Sequence, residues 1–438
     1  MIKERLDSYI DTSRDDMIKH ILDIISYPSF TGDQIENERC LQHVLDLAED
    51  MGFKTMTTSD RSVGIVEMGE GDECLGILVH VDVVGIGDAD KWTHGPFNGV
   101  HREGFLWGRG TTDDKGAVIM SLFAMKAVMD SGVKLGKRVW LIIGTSEEGE
   151  WTDIETFKRE YPVPDYGFSP DGEFPIFNVE KGYADVVLSF HEPRLHDIVD
   201  ISGGDSPNTV PSKAQIHLAN GDTHTSNGVS THSSTPEEGD NAIISLCLKL
   251  MDELGYDFSF SRFVTSHLTN EGLPVDLYID DGESFHEDEH VGFTTAAPTV
   301  VWFEDGKLKL NINIRHRYGT DDDSIFSAFE RKSGEYGYSF EINNYLEPMK
   351  VDRDLPFLQI MKEVSETYDT DGSFMVAAGT SYAKSMERFV SWGPVFPHDP
   401  QTAHVEDERL AVETMVRATK LYAYFIYKIT HQTEEVTM

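Results

Sequence analysis

Apolar and polar positions change rhythm along this 438-residue chain, and the changes divide it into regions. Ile18, Ile21, Leu22 and Ile25 recur at helical spacing, and the proline of SYPSF (Ser26 to Phe30) predicts the stop. Leu41, Val44, Leu45 and Leu47 predict a second amphipathic helix, ending before Gly52. Two short and almost wholly apolar segments follow, GILVHV (Gly76 to Val81) and VWLIIG (Val139 to Gly144), with a buried helix between them over Ala117 to Met129. Continuous apolar strands separated by helices predict a mainly parallel sheet covered on both faces. From about Lys181 to Met349 the texture becomes alternating: ADVVLSF (Ala184 to Phe190), TVVWF (Thr299 to Phe303) and LKLNINI (Leu308 to Ile314) read as strands. Helical runs at Ala242–Leu254 and Ser324–Glu335 separate them, predicting an α+β insert. Helical patterns resume at Leu355–Glu366 and Glu408–Ile429. The expected division is a discontinuous domain of residues 1–181 and 350–438 with an insert of residues 182–349.

Composition narrows the function classes. Hydrophobic residues make up 39% and aromatics 11%, enough for packed cores. A net charge of -40, from 77 acidic and 37 basic residues, argues against nucleic acid and anionic membranes as partners. Cys40, Cys74 and Cys247 are scattered with no CxxC spacing, which fits reduced thiols. The charged N-terminus does not read as a signal peptide, and the run Ala117 to Met125 falls short of the roughly 20 residues that span a bilayer. A cytoplasmic protein is the expectation. The stretch IDDGESFHEDEH (Ile279 to His290) reads as a solvated acidic loop.

Candidate chemistry gathers where strands are predicted to end, the side of an open sheet on which ligands bind. The first apolar strand ends in HVD, placing His80 and Asp82 two apart and so on one face, where a carboxylate can orient an imidazole. WGRGTTDDKG (Trp107 to Gly116) sets two acids at the start of the buried helix; one would serve as a cap, and the second is less needed. GTSEEGEW places Glu147 and Glu148 directly beyond the second buried strand, and SPDGEFP (Ser169 to Pro175) adds Asp171. Each motif alone has an ordinary reading as a turn, a cap or a surface pair. Together they bring many carboxylates and an imidazole to one edge, where like-charge repulsion would raise the acids' pKa values steeply unless a cation is present. Oxygen-rich coordination with one or two histidines suits Zn²⁺, Mn²⁺ or Co²⁺.

HVDVV (His80 to Val84), the Trp92–Pro96–Phe97 pattern, GRGTTDDKG, GTSEEG, SPDGEFP, PNTVP (Pro207 to Pro211), THSSTPEEGDNA (Thr231 to Ala242) and PHDPQTAHVEDE (Pro397 to Glu408) occur in this order. In that ordered set the chain resembles the M20 family of metallopeptidases, and most closely its PepV-like bacterial dipeptidases, the Xaa-His or carnosinase-type branch. The resemblance implies a zinc-peptidase-like α/β catalytic domain with a mainly parallel mixed sheet flanked by helices, an inserted α+β lid, and two divalent metal ions, with Zn²⁺ first and Mn²⁺ or Co²⁺ as alternatives. It implies that Asp113 bridges the metals and is joined to Asp114 by a cis peptide, that His80 and Asp171 complete one metal's shell, and that Glu148 and His404 complete the other's. Asp82 would orient His80 and Glu147 would act as general base. From the lid, His232 would stabilise the carbonyl oxygen in the transition state, while Asn208 and Arg315 would bind substrate. Arginine suits a terminal carboxylate because its planar fork can pair bidentately. The family's GGTYAR element stands here as GTSYAK (Gly379 to Lys384), with Gly379 at the substrate end; lysine and threonine replace an arginine and a glycine, leaving side-chain preference open. The implied activity is hydrolysis of dipeptides with a free amino end, by a chain that is a monomer or a homodimer. An N-acyl amino acid deacylase is the alternative, and a non-catalytic metal-binding protein on the same scaffold is disfavoured by the presence of Glu147.

Overall fold

The computed structural model describes residues 2–431. The chain forms two compact units, one of residues 1–178, 351–375 and 381–438 and the other of residues 179–350 and 376–380.

In the first unit the elements that matter are β1 (Lys54–Thr57), β2 (Gly64–Met68), β3 (Cys74–His80), α1 (Lys115–Asp130), β4 (Arg138–Gly144), β5 (Tyr166–Ser169), β6 (Phe389–Trp392) and α2 (Val412–Thr430). These strands belong to a nine-stranded sheet, in which they follow the order β1-β2-β4-β3-β5-β6. Its four central strands are parallel, with Leu78 opposite Ile142 and Ile77 opposite Phe168. Antiparallel pairing takes over at both edges: β2 against β4 and β1 on one side, Ile176 and Phe177 against β6 on the other. The sheet is therefore mixed, and parallel only at its middle. Strands β3 and β4 are apolar and buried nearly throughout because both faces are covered, so they carry no polar alternation. Helix α1 is apolar on all sides and packs against both the sheet and α2, as a helix without a polar stripe must.

The chain departs from the expected helix beginning at Glu408. Arg409–Ala411 forms a strand antiparallel to Phe105–Trp107, and α2 begins at Val412. Glu408 has no solvent exposure and faces inward, a role that helical periodicity does not encode.

The second unit is a seven-stranded antiparallel sheet in the order Thr223–Asn227, Lys213–Leu218, Ile198–Gly203, Thr295–Glu304, Lys307–His316, Gly182–Phe190, Tyr338–Leu346. One face supplies Ala184, Val186, Leu188, Ile312 and Ile314 to a core shared with Ile243, Phe263 and Phe329 from the unit's helices. The helix predicted to run through Leu254 is α-helical only over Ala242–Leu248 and continues as a π turn over Lys249–Glu253. The Ile279–His290 stretch is more ordered than a solvated loop. It contains a short hairpin pairing Phe285–His286 with Glu289–His290, and Asp281 grips the buried Arg317 at 2.6 Å. Among the described residues, no helix is long and apolar enough to cross a membrane.

Candidate metal centre

Four connections leave the carboxyl ends of the parallel strands, the first of them entering the top of α1, and each delivers polar side chains. Strand β3 ends at His80, which is fully buried. Its Nδ1 lies 3.0 Å from the Asp82 carbonyl and 3.3 Å from the Asp82 carboxylate. That partner directs Nε2 the other way, toward Asp113 Oδ1 at 3.1 Å and Asp171 Oδ2 at 3.5 Å. Asp113 stands just before α1, after a loop turned at Gly108 and Gly110, which both have positive φ, and its peptide to Asp114 is cis. Its second oxygen, Oδ2, lies 2.7 Å from His404 Nε2. His404, half-exposed on a loop before α2, also meets Glu148 Oε1 at 2.9 Å. Asp113 thus faces one histidine with each oxygen.

These side chains form two groups whose ligand atoms lie within 4.8 Å of one another: His80, Glu147 and Asp171, and Asp113, Glu148 and His404. Distance alone does not separate Glu147 from the ligands, since its carboxylate falls within the first group.

The electrostatics call for a cation. Burial, then the charges of Asp171, Glu148 and Asp113, push the Glu147 carboxyl well above the usual carboxylate range. Burial and Asp113 push Glu148 up to about 7. Asp171 is raised by burial and Asp113. Burial would lower both imidazoles, yet the surrounding carboxylates win: Asp113 and Glu148 raise His404 to about 11, and Asp113 and Asp171 raise His80 well above its ordinary value. Asp113, between the two histidines, is held below its ordinary value despite burial. The donor set fits divalent metals on a further count. His80 Nε2 is buried and has no aligned hydrogen-bond partner, while its other nitrogen is held by Asp82, the arrangement of a metal-ligating histidine.

Two buried carboxylates that sequence reasoning passed over hold the loops in place. Glu408 accepts the backbone N–H groups of Gly110 at 3.0 Å, Thr112 at 2.9 Å and Asp113 at 3.3 Å, with the Thr112 hydroxyl at 2.9 Å. Arg109 pairs with it at 2.6 Å. The cluster of glycine and threonine N–H groups in GRGTTDD was the one available signal, since buried donors need an acceptor. The other, Asp153, accepts from Thr145 and Ser146. Asp82 takes the N–H groups of Glu147 at 3.0 Å and Glu148 at 3.2 Å, besides holding His80.

The remaining candidate residues belong to the second unit. Thr209 pairs with His232 across a two-residue ladder that sets Asn208 beside it, and the Ser233 N–H donates to the Asn208 carbonyl at 2.9 Å. His232 Nδ1 lies 2.6 Å from the Ser234 hydroxyl. Arg315 is nearly buried, its guanidinium 4.7 Å over the Tyr183 ring and its Nε 3.3 Å from Asn313 Oδ1. Asn313 in turn donates to the Pro207 carbonyl at 3.0 Å. Gly379 lies in the 376–380 segment, with no atom within 4 Å of where a Cβ would stand.

A parallel strand edge bearing two adjoining His–carboxylate groups has the donors for two metal ions side by side. The chain belongs to peptidase family M20/M25/M40, which it matches over residues 76–428, and its reaction is hydrolysis at peptide bonds. YtjP of Bacillus subtilis (strain 168), named as a candidate dipeptidase, is 32% identical over 429 residues that cover 89% of this chain and 90% of its own. Human carnosine dipeptidase 1 shares the fold with a TM-score of 0.63 at 17% identity, covering 98% of this chain and 99% of that one. The dipeptidase Dug1p from Saccharomyces cerevisiae does so with a TM-score of 0.68 at 13% identity, covering 97% and 98%.

Proposed function

We propose that this protein is a dipeptidase of the PepV-like kind, cleaving dipeptides with a free amino end. The observation that carries the reading is Asp113, whose two oxygens face His80 and His404 at 3.1 and 2.7 Å and so suit a bridge between two metal positions. His80 and Asp171 would hold one ion, Glu148 and His404 the other, with Zn²⁺ favoured over Mn²⁺ or Co²⁺. Bound divalent ions polarise a scissile carbonyl and make water a nucleophile near neutral pH. Glu147 is the general base: it takes the proton of the attacking water and delivers it to the leaving amine. Its crowding by neighbouring acids supports that role, because a base works best with a pKa drawn toward the operating pH. Asp82 fixes the His80 ring through Nδ1. His232 is assigned to the carbonyl oxygen of the transition state, and Asn208, Arg315 and Gly379 to substrate; Arg315 is the group for the terminal carboxylate. The second unit would act as a lid, and a monomer or homodimer in the cytoplasm is the proposed state.

The names of YtjP and of the two solved dipeptidases favour this activity over deacylation. A panel of free dipeptides and N-acyl amino acids, assayed before and after chelation, tests it. Dipeptides should be cleaved, activity should vanish with chelator, and Mn²⁺, Zn²⁺ or Co²⁺ should restore it. Turnover of N-acetyl amino acids with none of dipeptides would select the deacylase, and full activity in metal-free protein would exclude a two-metal site.

A further inference from the structure

The loop that carries Glu147 and Glu148 hangs from two buried carboxylates, of which Asp82 is one. The other is Asp153, in the first turn of the helix Thr152–Glu160. Its Oδ2 accepts the N–H groups of Thr145 at 2.7 Å and Ser146 at 3.1 Å, and the Tyr382 hydroxyl at 2.5 Å. Its Oδ1 accepts the N–H of Ile154 at 2.8 Å. An acid in a first helical turn ordinarily complements the helix dipole from the surface. Asp153 is instead 2% exposed and turned back onto the loop before its own helix.

Tyr382 completes the arrangement. It is fully buried, its ring meets His80 edge-on with centroids 6.1 Å apart, and it meets Trp151 at 5.9 Å. Trp151 donates its indole N–H to the Glu147 carbonyl at 2.8 Å. The strand end at Gly144 passes so close that a Cβ there would lie 2.5 Å from the Tyr382 hydroxyl and 2.7 Å from Asp153 Oδ2. Only glycine admits this approach. Four consecutive N–H groups, Thr145 to Glu148, are thereby fixed by two carboxylates, and the Tyr382 hydroxyl holds one of those carboxylates in position.

We propose that Asp153 and Tyr382 are a coupled pair of positioning residues for the Glu147–Glu148 loop, setting the general base against its substrate without touching either substrate or metal. This rests on the assignment of Glu147 as base and Glu148 as ligand. Misplacing a reacting group by about 1 Å can cost on the order of a hundredfold in rate, so a single hydroxyl beneath the loop has kinetic consequences.

Tyr382→Phe removes that hydroxyl and keeps the ring. In the Mn²⁺-loaded protein, its kcat for a cleaved dipeptide should fall about tenfold to a hundredfold, with KM changed by less than about threefold. In the metal-free protein, amide hydrogen exchange at Thr145 and Ser146 should speed up. Adding Asp153→Asn should cost no more than the worse single change, because the two act as one unit. The proposal is overturned if kcat in Tyr382→Phe stays within about twofold of the parent, if loop exchange is unaltered, or if the two losses are simply additive. Should Asp153→Asn fail to fold, Tyr382→Phe decides the matter alone. Glu147→Gln in the same assay separates this proposal from the one beneath it: full turnover there removes the base assignment whatever Tyr382 does.

Discussion

Two stretches of this chain are dense in acids and carry histidines, yet they behave in opposite ways. In the second unit, three acids of Asp280 to His290 are taken up by local basic partners. Asp281 and Asp280 flank Arg317 at 2.6 and 3.4 Å, Glu289 pairs with Lys350 at 3.0 Å, and His286 and His290 lie edge-on to Tyr318 and Phe285. In the first unit, the acids come from three separate segments, at Asp113, Glu147–Glu148 and Asp171, and converge with no lysine or arginine among the ligand groups. Among the described residues, the groups able to hold a metal occur only there. Acid density is therefore a poor guide to a cation site. Convergence from distant segments onto an imidazole, without a basic partner, is the better one.

The contrast is testable at decreasing scale. The sharpest break comes from Glu147→Gln, expected to keep two metals by elemental analysis while losing about a hundredfold to ten-thousandfold in turnover. Glu148→Gln should lose metal as well, and equal behaviour of the two variants would undo their division of roles. Asp82→Asn should weaken metal binding or activity about tenfold to a hundredfold, because it loosens His80 and the loop N–H groups together. Metal affinity should also rise with pH. Glu148 at about 7 and His404 at about 11 in the metal-free chain must shed protons to act as ligands. Binding therefore releases protons, and affinity climbs from pH 6 through 8; titration calorimetry in two buffers of different ionisation heat measures the release. The smallest effect belongs to the other stretch: a Glu287→Ala/Asp288→Ala variant should bind the same two ions per chain as the parent. A third ion lost from that variant would erase the contrast.

Much of the first unit could be read from the chain because its central strands are continuous apolar runs and its site acids follow them directly, as at Val139 to Glu148. The sheet's antiparallel edges could not, since Lys54–Thr57 and Gly64–Met68 are short and their pairing is decided by tertiary contacts. His404 came to notice only through the resemblance, as no local pattern marks a histidine on an irregular loop. Glu408 and Asp153 were hidden for a shared reason. Each looks like a polar residue at the start of a helix, and what distinguishes it is a set of backbone N–H groups, for Glu408 some 300 residues away. Hydrophobic periodicity carries no trace of such partners.

The grip of Glu408 on the Arg109–Asp113 loop has a consequence for the timing of synthesis. A ribosome has already joined Asp113, Glu147, Glu148 and every residue of the second unit before it adds His404 and Glu408. Until then the loop before α1 lacks the carboxylate that receives its N–H groups, and Asp113 lacks the imidazole that meets its Oδ2. The Arg109–Asp113 loop thus gains this anchor only some 300 residues after the loop itself is made.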